Sequence, residues 1–413
     1  MNITLRLAWR NLWRNRRRTW LTVGAMIFSN VLLIFMISLQ LGSYQLMIDN
    51  TLRTFSGHLQ IQHPDFLDDP KLRFIIPDIE QLAEQVREAL HSDQVAARSM
   101  AFVLASSEQR SYGIQVTGVQ PEFEPRVSSI PGLVVQGRYL NGGTNEIVVG
   151  DVLAKNLKVS IGESITVLGS GVDGSFAAGV LTVVGIFDSG MIDIDRSMAQ
   201  ISLKDFQAMF SMNTDGNTIT ILANGLDEVQ SLNVKLEQLI SQQENTFSTV
   251  PKVRDWQALV PGLKQAIQAD FASAWFMYAV LIILVSFSVL NTQLMSVLER
   301  TREFGTMMAL GVRPARLCRL VFTETFLMSV LGLSIGVGLG FLLTLYLNHV
   351  GFMYPGVEEM AERFNFPSKI FPSVSLLAIG MGPSAVFVGS LLAALYPGLR
   401  LFFLQPIEAM RAN

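Results

Sequence analysis

Hydrophobic positions divide the chain into four long apolar runs separated by polar segments of very unequal length, which predicts transmembrane helices at residues 19–48, 256–298, 320–348 and 370–403. Phe271 to Leu298 holds no charged residue, and Leu320 to Asn348 holds Glu324 alone. Each run exceeds the roughly 20 residues needed to cross about 30 Å of hydrocarbon. The first run, about 30 helical residues, measures roughly 45 Å and outruns the bilayer, so it is expected to project as a stalk. Trp256 to Ala269, with Leu259, Leu263 and Ile267 at helical spacing and an interruption at Pro261, is its counterpart below the second run.

Residues 49–255 change character. Alternating or β-branched stretches predict strands at Gly57–Gln62, Ile114–Val119, Glu146–Val149, Ser164–Leu168, Leu181–Ile186, Ala199–Ser202 and Thr218–Leu222. Helical spacing predicts helices at Asp78–Leu90, Gly150–Leu157, Lys204–Phe210 and Leu226–Gln242. The Pro- and Ser-rich segment Pro121–Gly132 marks an expected boundary where a second lobe is inserted into the first. The fold class is thus an α-helical membrane protein with four transmembrane helices and a large α+β extracytoplasmic domain inserted between helices 1 and 2.

Two amphipathic segments flank the spans. Residues 1–18 place Leu5, Leu7, Ala8, Trp9, Leu12 and Trp13 among arginines, as in a helix lying on a membrane surface. Residues 299–319 open with Glu299, Arg300, Arg302 and Glu303, then set Phe304, Met307, Met308 and Leu310 at helical spacing. Gly311 and Pro314 are expected to stop that helix. Residues 349–369 form a short outer loop, and 404–413 a tail.

Glu299-Arg300-Thr301-Arg302-Glu303-Phe304-Gly305, followed by Ala309-Leu310-Gly311, resembles the coupling segment of the MacB, LolC/LolE and FtsX group of ABC-transporter permeases. Tyr396 to Arg400 with Pro406 to Arg411 resembles that group's C-terminal ending, and Asn145 to Gly150 with Leu153-Ala154 and Ile161 to Glu163 resembles its extracytoplasmic domain. Phe187, the Asp188-Ser189-Gly190 turn and Asp193 to Ser202 resemble the LolC/LolE branch in particular. One position departs: the group usually carries a basic residue where Met308 stands.

The resemblance implies that Arg300, Arg302, Glu303, Phe304, Gly305, Met307, Ala309, Leu310 and Gly311 couple the chain to a separate ATPase dimer, which would hold ATP and Mg. It further implies a second permease copy, identical or not, and lipoprotein or lipid extraction towards a periplasmic carrier. The alternatives are a MacB-like efflux permease working with an adaptor, or an FtsX-like regulator of a cell-wall hydrolase.

Composition agrees with spans alternating with a polar domain: across 413 residues the mean hydropathy is +0.37, yet 16% are charged. Charge sets the orientation. Residues 1–20 carry six arginines and no acid, whereas Asp49 to Asp270 carries 27 acids against 16 Lys and Arg. Short arginine-rich segments stay inside, so both termini and residues 299–319 are expected in the cytoplasm and the large domain outside; the resemblance implies a bacterial inner membrane. Arg14 to Arg18, directly before an apolar run, reads as a topology anchor and not as a nucleic-acid patch.

Catalytic signatures are absent. No lysine follows a glycine, which excludes the phosphate-binding loop of an ATPase within this chain. The four histidines, His58, His63, His91 and His349, lack metal-ligand spacing, and the single cysteine, Cys318, makes no disulfide framework. Asp188, Asp193 and Asp195 lack the spacing of a calcium loop. Gly169, Gly171 and Gly174 fit a hairpin loop better than a phosphate cradle. Within the spans, Gly332, Gly336 and Gly340 recur every fourth residue, as helix-packing positions do, and Glu324 is expected to snorkel or pair with Arg319.

Overall fold

A computed structural model describes residues 3–243, 247–353 and 369–403. Most of the outer loop and the whole 404–413 tail, including the Pro406–Arg411 motif, lie outside the described residues. In chain order, α1 (Ile3–Arg14) and α2 (Arg16–Thr51) come first, and α2 ends in a π-helical turn, Leu52–Ser56. The α+β segment follows as β1 (Leu59–Gln62), α3 (Ile79–Leu90), β2 (Val95–Ser106), β3 (Ser111–Val119), α4 (Glu124–Val127), β4 (Val134–Gly137), β5 (Glu146–Gly150) and α5 (Asp151–Leu157). It continues with β6 (Ser164–Ser170), β7 (Phe176–Phe187), α6 (Ile192–Ser197), β8 (Met198–Ser202), α7 (Leu203–Met209), β9 (Thr218–Ile221), α8 (Leu226–Gln242), β10 (Lys252–Asp255) and α9 (Trp256–Leu259). The chain closes with α10 (Pro261–Glu299), α11 (Thr301–Ala309), α12 (Pro314–Val350) and α13 (Leu376–Arg400).

These elements form two compact units, residues 3–44, 266–353 and 369–403 in one and 45–243 with 247–265 in the other. In the first unit α2, α10, α12 and α13 are long and apolar enough to cross a membrane. At 36, 39 and 37 residues, α2, α10 and α12 all exceed one bilayer thickness. Their outward side chains are apolar, as lipid contact requires: Phe276, Ile283, Leu284 and Phe287 on α10 are all exposed. Inward, Met26, Leu33 and Ile37 of α2 meet Tyr278, Val285 and Val289 of α10 and Val386 of α13.

Glycine sets the closeness of α2 and α12. A methyl group on Gly332 would lie 2.8 Å from Met26 Cβ, on Gly336 2.7 Å from Asn30 Cβ, and on Gly340 2.8 Å from Ile34 Cδ1. The three glycines and their three partners each step by four residues, so one seam runs along both helices. It packs the subunit internally.

The helix of the fourth span begins at Leu376, later than the expected 370. Phe352 and Ile370 pair as an extended bridge, and Ser375 Oγ caps the helix by accepting from Ala378 N at 3.1 Å. Pro372 disfavours helical backbone at Phe371 before it, which keeps those residues out of the helix. Pro314, expected as a stop, instead occupies the first turn of α12, where its missing N–H costs nothing.

In the second unit ten strands share one hydrogen-bonded network, ordered β10-β1-β9-β2-β3-β8-β5-β7-β4, with β6 pairing both β2 and β7. Those last pairings close a ring of six strands, β2-β3-β8-β5-β7-β6, filled by Val103, Ile114, Val116, Ile165, Val167 and Leu181 among others. Closure leaves these strands no free edge. The remaining sheet, β10-β1-β9 with the start of β2, is open and covered by α3, whose Ile79, Leu82, Ala83 and Val86 face it, and by α8.

Two cores therefore share one strand. Val95–Arg98 of β2 pair with β9, whereas Arg98–Ser106 pair with β3. The second lobe departs inside β2, not at Pro121–Gly132 as expected. No strand is expected from the sequence at β2, where Val95 to Met100 is buried almost throughout and only Ala101 to Ala105 alternates.

Candidate functional site: the short helix α11 and its ion-pair anchor

α11 carries the amphipathic pattern read from the sequence, and its apolar side is sunk into the first unit. Phe304 is fully buried with Val297, Leu317, Val321 and Leu401, while Met307 and Met308 pack at the edge of that cluster. Gly305 is buried beside Phe304. Gly311 takes φ +90°, a backbone state natural to glycine, and turns the chain towards α12.

Arg300, immediately before α11, is equally internal. Its Nη1 lies 3.0 and 3.2 Å from the Glu324 oxygens, and its Nε donates to Glu303 Oε2 at 3.2 Å. The guanidinium also stands 5.0 Å over the Phe304 ring. Glu324 accepts a second bond, 2.6 Å long, from Asn11 Nδ2 of α1. Side chains of Arg300 and Glu324 are only 7% and 6% exposed, so each ion depends on the other. The expected pairing of Glu324 with Arg319 is thus corrected: the partner comes from 24 residues earlier, on the coupling segment itself.

Two further ion pairs tie the N-terminal helices to α11 and to the end of α10. Arg14 Nη2 lies 3.1 Å from Glu303, and Arg18 Nη1 lies 2.7 Å from Glu299. Sequence reasoning missed both: Arg14 and Arg18 sit on either side of the α1–α2 break, and Glu299 and Glu303 on either side of the α10–α11 break, so no spacing within one helix marked them. The nine candidate coupling residues therefore divide. Arg300, Phe304, Gly305 and Met307 hold α11 in place, while Arg302, Ala309, Leu310 and Gly311 are exposed, Leu310 to 82%. Glu303 does both, exposed at one edge and ion-paired at the other.

In the second unit a different anchor appears. Arg98 Nε and Nη2 donate to the two Glu124 oxygens at 2.9 and 2.6 Å, with Arg98 1% and Glu124 0% exposed. Arg98 Nη1 also donates to Phe55 O, in the π-helical turn that ends α2. Ser128 Oγ donates to Thr54 O at 2.9 Å and Ser129 N to Arg53 O at 2.8 Å. The last carbonyls of α2, which have no partner within the helix, are thus bound by the strand both lobes share and by the 121–132 segment. Nearby, His58 Nδ1 accepts from Ala223 N at 3.2 Å, leaving the ring proton on Nε2, 3.5 Å from Asp49. Burial lowers the His58 pKa below the usual histidine value, and Asp49 opposes that shift.

Two of the three acidic residues considered as cation ligands accept hydrogen bonds from the Ser189–Gly190 turn. Asp195 accepts from Ser189 N and Oγ at 2.9 and 2.7 Å, and Asp188 Oδ1 accepts from Gly190 N at 3.0 Å. Gly169, Gly171 and Gly174 lie at the tip of the β6–β7 hairpin, where Ser170 pairs with Phe176.

Four bilayer-length helices, an α+β unit between the first and second of them in chain order, and a short helix pinned beneath the second and third define a multi-pass membrane protein of the permease class. Residues 19–239 match the MacB-like periplasmic core domain, residues 275–406 match the FtsX-like permease C-terminal domain, and the chain belongs to the MacB, LolC/LolE and FtsX family of ABC-transporter permeases. The chain is 25% identical over 324 residues to the lipoprotein-releasing system transmembrane protein LolC of Neisseria meningitidis, covering 72% of this chain and 73% of that protein. It is 26% identical over 313 residues to LolE of Haemophilus influenzae, covering 73% of each. Similarity to the macrolide export ATP-binding/permease protein MacB of Bdellovibrio bacteriovorus is 25% over 317 residues, 73% of this chain and 44% of that protein.

Proposed function

We propose that this chain is the permease subunit through which a separate ABC ATPase, holding ATP and Mg, moves an extracytoplasmic domain to extract lipoprotein or lipid from the outer leaflet of the inner membrane. Both termini and α11 lie in the cytoplasm in this reading, as the arginine bias of residues 1–20 favours. A second permease copy completes the transporter. A periplasmic carrier receives the cargo.

The observation that carries the reading is the division of α11 into a buried, ion-paired side and an exposed side. A push on Arg302, Ala309, Leu310 and Gly311 would be delivered through Phe304 and the Arg300–Glu324 pair to α10 and α12, with no loose joint between. α2 and α10 are unbroken over 36 and 39 residues, and the end of α2 is bound by Arg98, Ser128 and Ser129 within its own unit. The lipoprotein reading is supported by the names of the LolC and LolE relatives.

A photocrosslinking residue at position 310, in native membranes, tests the docking. Capture of the ATPase subunit, identified by its azido-ATP label, is expected from position 310 and not from position 339 on the apolar surface of α12. Failure at 310 with capture elsewhere would refute the assignment. Pull-down by the extracytoplasmic domain then separates a lipoprotein carrier from an efflux adaptor or a cell-wall hydrolase.

A further inference from the structure

We infer that the elbow between α1 and α2 is a binding site for an anionic phospholipid of the inner leaflet. Helix α1 ends at Arg14 and α2 begins at Arg16, and Thr19 Oγ1 holds the bend by donating to Leu12 O at 2.7 Å. A groove of about 520 Å³ opens there, lined by Trp13, by Arg14, Arg16, Arg17 and Arg18, and by Glu299. Glu299 and Glu303 neutralise Arg18 and Arg14. Arg16 and Arg17 are exposed and have no carboxylate partner among the described residues. The groove therefore keeps two uncompensated positive charges.

What lies above the groove selects a lipid over a soluble anion. Arg17, Trp20, Leu21, Gly24 and Phe28 fall at steps of three and four along α2, on one face. Trp20, Leu21 and Phe28 are 52%, 76% and 68% exposed. From Arg17 to Phe28 the helix rises about 16 Å, close to half of a hydrocarbon core about 30 Å thick. A diester phosphate seated on Arg16 and Arg17 would thus lay its acyl chains along an apolar strip one leaflet long. Trp9, Trp13 and Trp20 form an edge-to-face ladder, with centroids 5.9 and 6.3 Å apart, at the level where indoles favour the headgroup boundary. This inference is independent of the ATPase reading.

The test uses the full chain purified in a non-ionic detergent and offered equal amounts of phosphatidylglycerol and phosphatidylcholine of identical chain length, with retained lipid counted by native mass spectrometry. Phosphatidylglycerol is expected to be retained preferentially. The R16Q/R17Q variant should weaken that binding roughly 25-fold, about five-fold per basic group, and leave phosphatidylcholine unchanged. R16K/R17K should retain most of it, and water-soluble glycerol phosphate should not displace the lipid. Equal retention of both lipids, indifference to R16Q/R17Q, or displacement by glycerol phosphate would overturn the site. So would a disulfide between two copies of a Leu21→Cys chain in the membrane, because a second copy would then cover the strip. Should R16Q/R17Q fail to insert, the wild-type comparison of the two lipids and of glycerol phosphate still decides.

Discussion

Replacing Arg300 by methionine should destabilise the membrane unit by about 3–5 kcal/mol, the cost of leaving one member of a buried ion pair without its partner. Glu324, 6% exposed on its side chain, would keep only the neutral Asn11 amide. The converse change should cost less. In Glu324→Gln, Arg300 retains Glu303 at 3.2 Å and the Phe304 ring at 5.0 Å, so a loss of about 1–3 kcal/mol is expected, the range for one unmade buried hydrogen bond. The double variant R300M/E324M removes both charges and should recover most of the loss, since well-packed apolar replacements of buried pairs are often neutral. Unfolding of the full chain in mixed micelles of increasing SDS fraction measures all three, and the cycle isolates the coupling. Equal costs for the two single variants, or a double variant at least as unstable as their sum, would refute the argument that the ions depend on each other.

Enlarging the α2–α12 seam is a second probe: Gly336→Leu should cost about 1–3 kcal/mol or more in the same unfolding assay, because its Cβ would meet Asn30 Cβ at 2.7 Å, whereas Gly338→Leu, with open space around it, should be near neutral. In the α+β unit, Arg98→Met leaves Glu124 buried without its cation and should cost about 3–5 kcal/mol, read as earlier proteolytic opening around Thr54 to Ser56 in the full chain. His58 predicts a pH effect. Its folded-state pKa is lowered by burial, so the unfolded chain binds the extra proton between that lowered value and the ordinary 6.5, and stability should be complete above 6.5 and fall as pH drops through that window. Chemical denaturation at pH 7 and pH 5 should show a smaller difference in His58→Gln than in the wild type. Finally, Arg302→Glu and Leu310→Asp should abolish ATPase coupling while leaving membrane insertion and unfolding unchanged, since both side chains are exposed; Gly305→Pro is a poorer probe, because Gly305 is buried beside Phe304 and the change would disrupt α11 itself.

The apolar runs, the basic N-terminus and the amphipathic segment at residues 299–311 were legible in sequence order alone. Bilayer thickness imposes a length on a crossing helix, charge imposes an orientation, and local periodicity carries both signals without reference to distant residues. The seven expected strands recur at β1, β3, β5, β6, β7, β8 and β9: β6 alternates, while β1, β8 and β9 are buried at every position and were marked by their alternating or β-branched sequence. Beyond that, the tertiary structure decided. Pairing across the chain closed six strands into a ring and made β2 serve two cores, with its first half, Val95 to Met100, buried almost throughout. The same long-range folding brought Asn11, Arg300 and Glu324 together and turned residues expected at a docking surface into its anchor. Local propensity is a property of neighbours in sequence, whereas the partner of a buried charge is fixed only when packing excludes water and leaves one counter-charge in reach.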